Sequence, residues 1–177
     1  VNGDMQHNED IRVKVNNYLK PETPYEGKTK VLHYLEVLRD EIGWDAVKAA
    51  VVKPLTGRKI GAYYGCMLLR PSREMQFDDP ENPKMLEDFI RAIGAEPVLY
   101  AQRNECCGGY MAVENRSYAA KQAQKIMDNA KAQGAELLIT ACPLCSYNLL
   151  HNTDGALPVV YFTELLAEAL GCGEEDA

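Results

Sequence analysis

Two adjacent cysteines followed by two glycines, Cys106-Cys107-Gly108-Gly109, stand between distant cysteines on either side, so that five sulfurs read Cys66-x39-Cys106-Cys107-x34-Cys142-x2-Cys145. Adjacent thiols make poor partners for each other, because a vicinal disulfide strains a short backbone segment. They suit two positions around one multinuclear metal centre, and the glycines let the backbone come close to something bulky. If the five sulfurs act together, the fold must return spacers of 39 and 34 residues to one place.

The hydrophobic pattern names an architecture that does so. Lys59 to Tyr64 reads as a strand running directly into Gly65-Cys66, Glu96 to Tyr100 as a second strand leading to Cys106-Cys107, and Glu136 to Thr140 as a third, two residues before Cys142. Pro158 to Tyr161 is a fourth. Between them lie a helix with Met85, Phe89, Ile90 and Ile93 closed by Gly94, and a longer one, Arg116 to Gln133, with Ala119, Ala123, Ile126, Met127 and Ala130 on one face. Helices from Pro143 to about Leu150 and from Thr163 to Leu170 complete the order. This alternation predicts an α/β fold: a parallel sheet of about four strands, right-handed crossovers and helices on both faces. Every strand of such a sheet ends on the same edge, so Cys66, Cys106/Cys107 and Cys142 converge at the carboxyl edge, where α/β proteins place their sites.

Upstream, Asp10 to Leu19 has a helical stripe, Lys20 to Lys30 reads as a loop, and Val31 to His33 is a short strand candidate. A helix with Leu35, Leu38 and Ile42 closed by Gly43 follows, then one from Trp44 to about Val52. Lys30 to Gly43 aligns without gaps with Pro158 to Gly171, either a strand–helix coincidence or an internal repeat; as a repeat, it makes residues 1–57 a connector, the tail of a preceding copy, and 58–177 the cysteine-rich domain. In that alignment Cys172 falls opposite Trp44, which argues against its being a ligand. The first residues, Val1 to Asp10, show no fold signal, and with a start at Val1 they lead to the expectation of a piece of a longer protein.

A net charge of −7 argues against a nucleic-acid partner, whose phosphates would repel the chain. The longest apolar stretches, such as Ala46 to Val52, are far too short to span a bilayer. Nothing at the start reads as a secretory signal, so a reducing, cytoplasmic compartment is expected. There, clustered cysteines bind metal or do redox chemistry more often than they staple a fold.

Thiolates are soft ligands for zinc and iron–sulfur clusters. Four complete a zinc site or a cubane cluster, and the fifth is surplus to explain. Zinc in a structural site usually takes two short Cys-x2-Cys hairpins, and only one is present. Cys142-Pro143-Leu144-Cys145 at a helix start also fits a thioredoxin-like dithiol. Elsewhere the readings are structural: His33 as a satisfied histidine rather than a proton donor, and Asp78, Asp79 and Glu81 as a solvated loop within Pro71 to Pro83. Tyr63, Tyr64 and Tyr110 are candidates to border a cluster, and Arg70 and Arg73 to meet an anionic thiol substrate.

At Tyr63-Tyr64-Gly65-Cys66, Arg70-Pro71, Glu105-Cys106-Cys107-Gly108-Gly109 and Thr140-Ala141-Cys142-Pro143-Leu144-Cys145, the chain resembles the cysteine-rich (CCG) domain of the heterodisulfide reductase B-subunit family. The resemblance implies an oxidoreductase subunit with a noncubane [4Fe-4S] cluster held by Cys66, Cys106, Cys107, Cys142 and Cys145. It further implies reduction of a disulfide lying between two such domains, of which this chain would be the second. A ferredoxin-like iron–sulfur subunit and a flavin-containing subunit are the implied partners, and the single domain is expected to be inactive by itself. The cysteine-rich subunit of a lactate- or glycolate-type dehydrogenase and a zinc-stabilised binding module are the alternatives.

Overall fold

The computed structural model describes residues 2–172, which divide into two compact units meeting at the Val37/Leu38 peptide. The first contains helices α1 (Asn2–His7), α2 (Glu9–Leu19) and α3 (Tyr34–Glu36). Helix α1 lies in the stretch where no fold signal was legible, although Val1 is outside the described residues. Asn8 caps α2 by accepting the Ile11 N–H at 3.2 Å. Lys20 to Lys30 is a loop, as expected, and Asn16 braces it by pairing its side-chain amide with both backbone groups of Tyr25, at 2.8 and 2.9 Å.

Val31 to His33 is not a strand, which corrects the expectation from sequence. It joins no sheet among the described residues, and the His33 backbone N–H is committed to Glu36 Oε2 at 2.7 Å. His33 Nδ1 accepts from the Leu35 N–H at 3.2 Å, completing a capping box around α3. A strand signal of three residues holds only where a neighbour supplies ladder bonds.

From α3 the chain continues as a π-helical segment, Val37–Ile42, where an α-helix was expected. The Gly43 N–H closes it on Leu38 O, five residues back, at 2.9 Å. Then follow α4 (Trp44–Ala50), β1 (Lys59–Tyr63), α5 (Ser72–Met75), α6 (Met85–Ala92), β2 (Glu96–Val98), a 3₁₀ turn (Gly109–Ala112), α7 (Arg116–Ala132), β3 (Leu137–Thr140), α8 (Pro143–His151), β4 (Val159–Tyr161) and α9 (Phe162–Ala169). Helix α5 falls inside the expected Pro71–Pro83 loop.

The four strands form one parallel sheet in the order β2-β1-β3-β4. Helices cover both faces. On one, Trp44, Phe89 and Phe162 of α4, α6 and α9 meet edge to face, with ring centroids 6.4 and 5.7 Å apart. On the other, Ala123, Ile126, Met127 and Ala130 of α7 and Leu149 of α8 pack with Tyr63 and Leu138. Fully burying a large apolar side chain such as Phe89 or Ile126 contributes about 1.5–3 kcal/mol.

The strand order locates the site. The chain leaves β1 for β2 on one side and returns past it to β3 on the other, so the crossovers diverge at the β1/β3 boundary, where α/β sheets open a crevice. Tyr63 pairs with Thr140 as the last rung, and Gly65-Cys66 and Ala141-Cys142 therefore emerge side by side.

Candidate metal centre

A cavity of about 60 Å³ opens at this boundary, and Cys66, Cys106, Cys107, Cys142 and Cys145 all line it, with Tyr64, Met67, Tyr110 and Leu144. Each thiol arrives by a different local device. Cys66 follows β1 through Gly65, whose φ is +68° and whose added Cβ would lie 2.9 Å from Cys145 Sγ. Only glycine serves there, since the backbone is left-handed and a sulfur occupies the space. The Cys66 carbonyl then accepts the N–H groups of Leu69 and Arg70, turning the chain away.

The adjacent cysteines face different ways: Cys106 is exposed and Cys107 buried. Cys106 Sγ accepts the Gly108 N–H at 3.3 Å. Cys107 Sγ lies 3.7 Å from Cys145 Sγ, and Asn148 Nδ2 donates to the Cys107 carbonyl at 2.7 Å. A Cβ on Gly109 would stand 3.3 Å from Cys107 Sγ and 3.1 Å from Leu144, so this second glycine keeps the wall thin.

Cys142 is the N-cap of α8, and its sulfur accepts the Cys145 N–H at 3.4 Å. Pro143 occupies the first turn, where a missing N–H costs nothing.

These contacts set the charges. The Cys145 thiol beside Cys107, first, and then the Gly109 N–H and the Asn148 amide, overcome burial and lower Cys107 to about 6. Cys142 is likewise lowered to about 6, by the Cys145 thiol first and then by the backbone N–H groups of Cys145 and Leu144 at the helix start. Cys145, whose one thiol proton lies between these two sulfurs, is held protonated. Burial, followed by the neighbouring Cys106, pushes Cys66 up to about 11.

Five thiols make a soft donor set, suited to iron–sulfur or zinc chemistry and poorly suited to magnesium or calcium. They spread around the cavity wall; among the described residues no three His, Cys, Asp or Glu side chains are gathered as around a single metal ion. With the two glycine approaches, five sulfurs on the wall of one cavity make a donor set that suits a thiolate-bound iron–sulfur group.

Of the other candidates, Tyr64 and Tyr110 line the cavity, whereas Tyr63 is buried behind it and donates to Glu105 O at 2.8 Å. Arg70 is engaged with Asn104 O, Pro80 O and Glu81, at 3.1, 3.2 and 2.9 Å, and Arg73 sits exposed on α5. Asp78 accepts the N–H groups of Lys84 and Met85, both at 2.7 Å, to cap α6, and Asp79 closes a turn onto Glu81 and Asn82. His33 has the structural role described above, and Cys172 is exposed.

Three supporting residues escaped the sequence reading. Asn148 stands one turn after Cys145 on α8, a spacing that could have disclosed it. Glu87 and Arg103 form a buried ion pair, Nε to Oε1 at 3.1 Å, and the Tyr64 hydroxyl donates to Glu87 Oε2. Neither carried a signal: Glu87 reads as one more charge on an amphipathic helix.

Residues 60–150 match the family profile described as "CCG: Cysteine-rich domain". The chain is 31% identical over 168 residues to the 8-methylmenaquinol:fumarate reductase membrane anchor subunit of Wolinella succinogenes, covering 89% of this chain and 58% of that protein. It is 28% identical over 189 residues to the B subunit of the ferredoxin/F(420)H(2)-dependent CoB-CoM heterodisulfide reductase of Methanosarcina acetivorans, covering 99% and 62%. A heterodisulfide reductase B-subunit-like protein of Archaeoglobus profundus is 30% identical over 185 residues, covering 97% and 62%. The chain thus spans about three-fifths of the length of these curated relatives. None of the helices in the described residues is long and apolar enough to cross a membrane.

Proposed function

Because the chain belongs to the cysteine-rich CCG domain family, we propose that it is the iron–sulfur electron-transfer part of an oxidoreductase subunit of the heterodisulfide reductase type. The observation that carries this reading is the meeting of all five thiols in one cavity at the β1/β3 boundary. Cys66, Cys106, Cys107, Cys142 and Cys145 are the proposed ligands of a noncubane [4Fe-4S] cluster. When bound, that group supplies single electrons for cleaving a disulfide.

The chain's own residues do the rest. Gly65 and Gly109 admit the group to within contact of the backbone, and the Asn148 amide, donating to the Cys107 carbonyl, holds and polarises that ligand, a kind of contact that tunes a ligand sulfur. Met67 and Tyr110, both more exposed than buried, form the apolar rim at which a disulfide substrate arrives. Residues 58–177 are the proposed cluster-binding domain, with 173–177 outside the described residues, and 1–57 the tail of a preceding repeat. Electrons come from a ferredoxin-like iron–sulfur subunit and a flavin-containing subunit in the cytoplasm, and this chain alone turns over no disulfide.

Anaerobic reconstitution tests the reading. About four irons per chain with a cluster spectrum support it. A colourless protein refutes it, and one zinc per chain instead identifies a zinc-stabilised module. A second reading, favoured by the Wolinella relative, is a quinol-linked electron relay. Oxidation of the reduced full-length complex by a quinone but by no disulfide would select it.

A further inference from the structure

We infer that Glu87 is a redox-linked proton site: its carboxylate takes up one proton from solvent when one electron enters a cluster held in the neighbouring cysteine cavity. The inference rests on the iron–sulfur reading above and concerns a side chain that hydrogen-bonds to none of the proposed ligands.

Glu87 is the only buried carboxylate among the described residues, 2% exposed. It stands one aromatic ring from the cavity, since Tyr64 lines the cavity and turns its hydroxyl onto Glu87 Oε2. That hydroxyl also accepts the Leu86 N–H at 2.8 Å, which fixes its proton toward the carboxylate. The other oxygen, Oε1, is buried without a hydrogen bond, and so are Tyr100 Oη and Arg103 Nε. Arg103 Nε is close enough to attract Oε1 but is not aligned to donate to it. A carboxylate so placed keeps capacity to hold a proton on Oε1, and Tyr100 Oη beside the pair retains acceptor capacity.

The charged and titratable groups around Glu87 come from three segments. Tyr64 approaches from the end of β1, Arg103 and Tyr100 from the segment after β2, and Asp78 from the loop before α6. Asp88 and Arg91, on the outer side of α6, share a separate hollow with Asp45 and Lys48 of α4. Burial outweighs the Tyr64 hydrogen bond and the weaker pull of Arg103, and holds the carboxyl above its ordinary range. A further negative charge beyond the Tyr64 ring raises its proton affinity again, about tenfold for a unit charge at roughly 10 Å in a medium of effective permittivity about 20.

The step balances. One electron passes from the iron–sulfur partner to the cluster, one proton passes from solvent to the Glu87 carboxylate, and no covalent bond breaks. The added charge in the cavity is thereby compensated within the domain.

The test is the midpoint potential of the anaerobically reconstituted protein as a function of pH, paired with redox-difference infrared spectra. Wild type is expected to show a potential that falls with rising pH by up to one proton per electron, and a buried carboxylic-acid band that appears on reduction. Glu87→Gln keeps an acceptor for the Tyr64 hydroxyl and is expected to show a flat potential and no band. Tyr64→Phe removes the donor that favours the charged carboxylate, so the break in the curve moves to higher pH; it also serves where Glu87→Gln does not fold. A loaded protein whose wild-type potential is flat, or equally steep in Glu87→Gln, overturns the inference and leaves the cluster reading standing. A wild type that takes up no iron–sulfur chromophore overturns the cluster reading itself, and the inference with it.

Discussion

Two of the three cysteine-bearing segments that meet at the cavity are built on opposite plans. Cys142 to Cys145 is local: the end of β3, a thiol at the N-cap and a proline at the first helical position set the geometry within a few residues. The segment before Gly108 has almost no regular structure of its own. Its carbonyls at Arg103, Asn104, Glu105 and Cys107 accept from Tyr64 N–H, Arg70 Nη1, the Tyr63 hydroxyl and Asn148 Nδ2, at 2.8, 3.1, 2.8 and 2.7 Å. Three of these donors come from β1 and the turn after it, and the fourth from α8. One half of the candidate site is thus shaped by its own sequence, and the other by donors 34 to 42 residues away.

Breaking the close approach of Gly65 to Cys145 should do the most damage. Gly65→Val forces a β-branched residue into left-handed backbone with its Cβ against Cys145 Sγ; a left-handed non-glycine residue alone costs about 1–3 kcal/mol, and the overlap adds to it. Thermal unfolding and iron content after reconstitution should both fall sharply, and an unchanged iron content would remove Gly65 from the account.

Asn148→Leu acts on the loop half. It leaves the Cys107 carbonyl buried and unpaired, at a cost of about 1–3 kcal/mol. In a chain of this size that lowers Tm by about 2–4 °C per kcal/mol. Losing the amide also raises the Cys107 thiol, so metal-free protein should alkylate more slowly at Cys107 near neutral pH while Cys142 keeps its rate; an equal change at both would show that the halves are not independent.

On the helical half, Tyr161→Phe removes one hydroxyl donated to Ala141 O at 2.5 Å, and about 1 kcal/mol is the expected loss. Urea unfolding measures it, and alkylation of Cys107 should not change.

The gentlest effect is spread over pH. Burial raises the Glu87 carboxyl, so between its unfolded and folded values the native state binds more protons than the unfolded one. Stability therefore falls as pH rises through that window and levels above it, and Glu87→Gln lacks this leg. Urea midpoints from about pH 4 to 8 check the sign.

The same division decides what could be read in advance. That the five cysteines come together was legible because four of them follow strands and the fifth follows an N-cap by three residues, so topology placed them before any side chain was known. Tyr63 was legible only as a tyrosine beside the site. Its work on the Glu105 carbonyl, like the pairing of Glu87 with Arg103, depends on which residues of distant segments come to lie opposite one another.

A last pair of segments draws the line most clearly. Lys30 to Gly43 and Pro158 to Gly171 align in sequence, and both use the same cap: Glu36 accepts the His33 N–H, and Glu164 accepts the Tyr161 N–H, each at 2.7 Å. Both end ten residues later at a glycine of positive φ, Gly43 and Gly171. The sequence by itself determined these features, because a cap, a first turn and a terminating glycine are satisfied within a dozen residues. Yet Val159 to Tyr161 is a strand beside β3, whereas Val31 to His33 joins no sheet among the described residues, and Val37–Ile42 winds as a π-helix where α9 is regular. Those outcomes belong to tertiary structure alone, for a ladder of hydrogen bonds needs a second strand that no local pattern can supply.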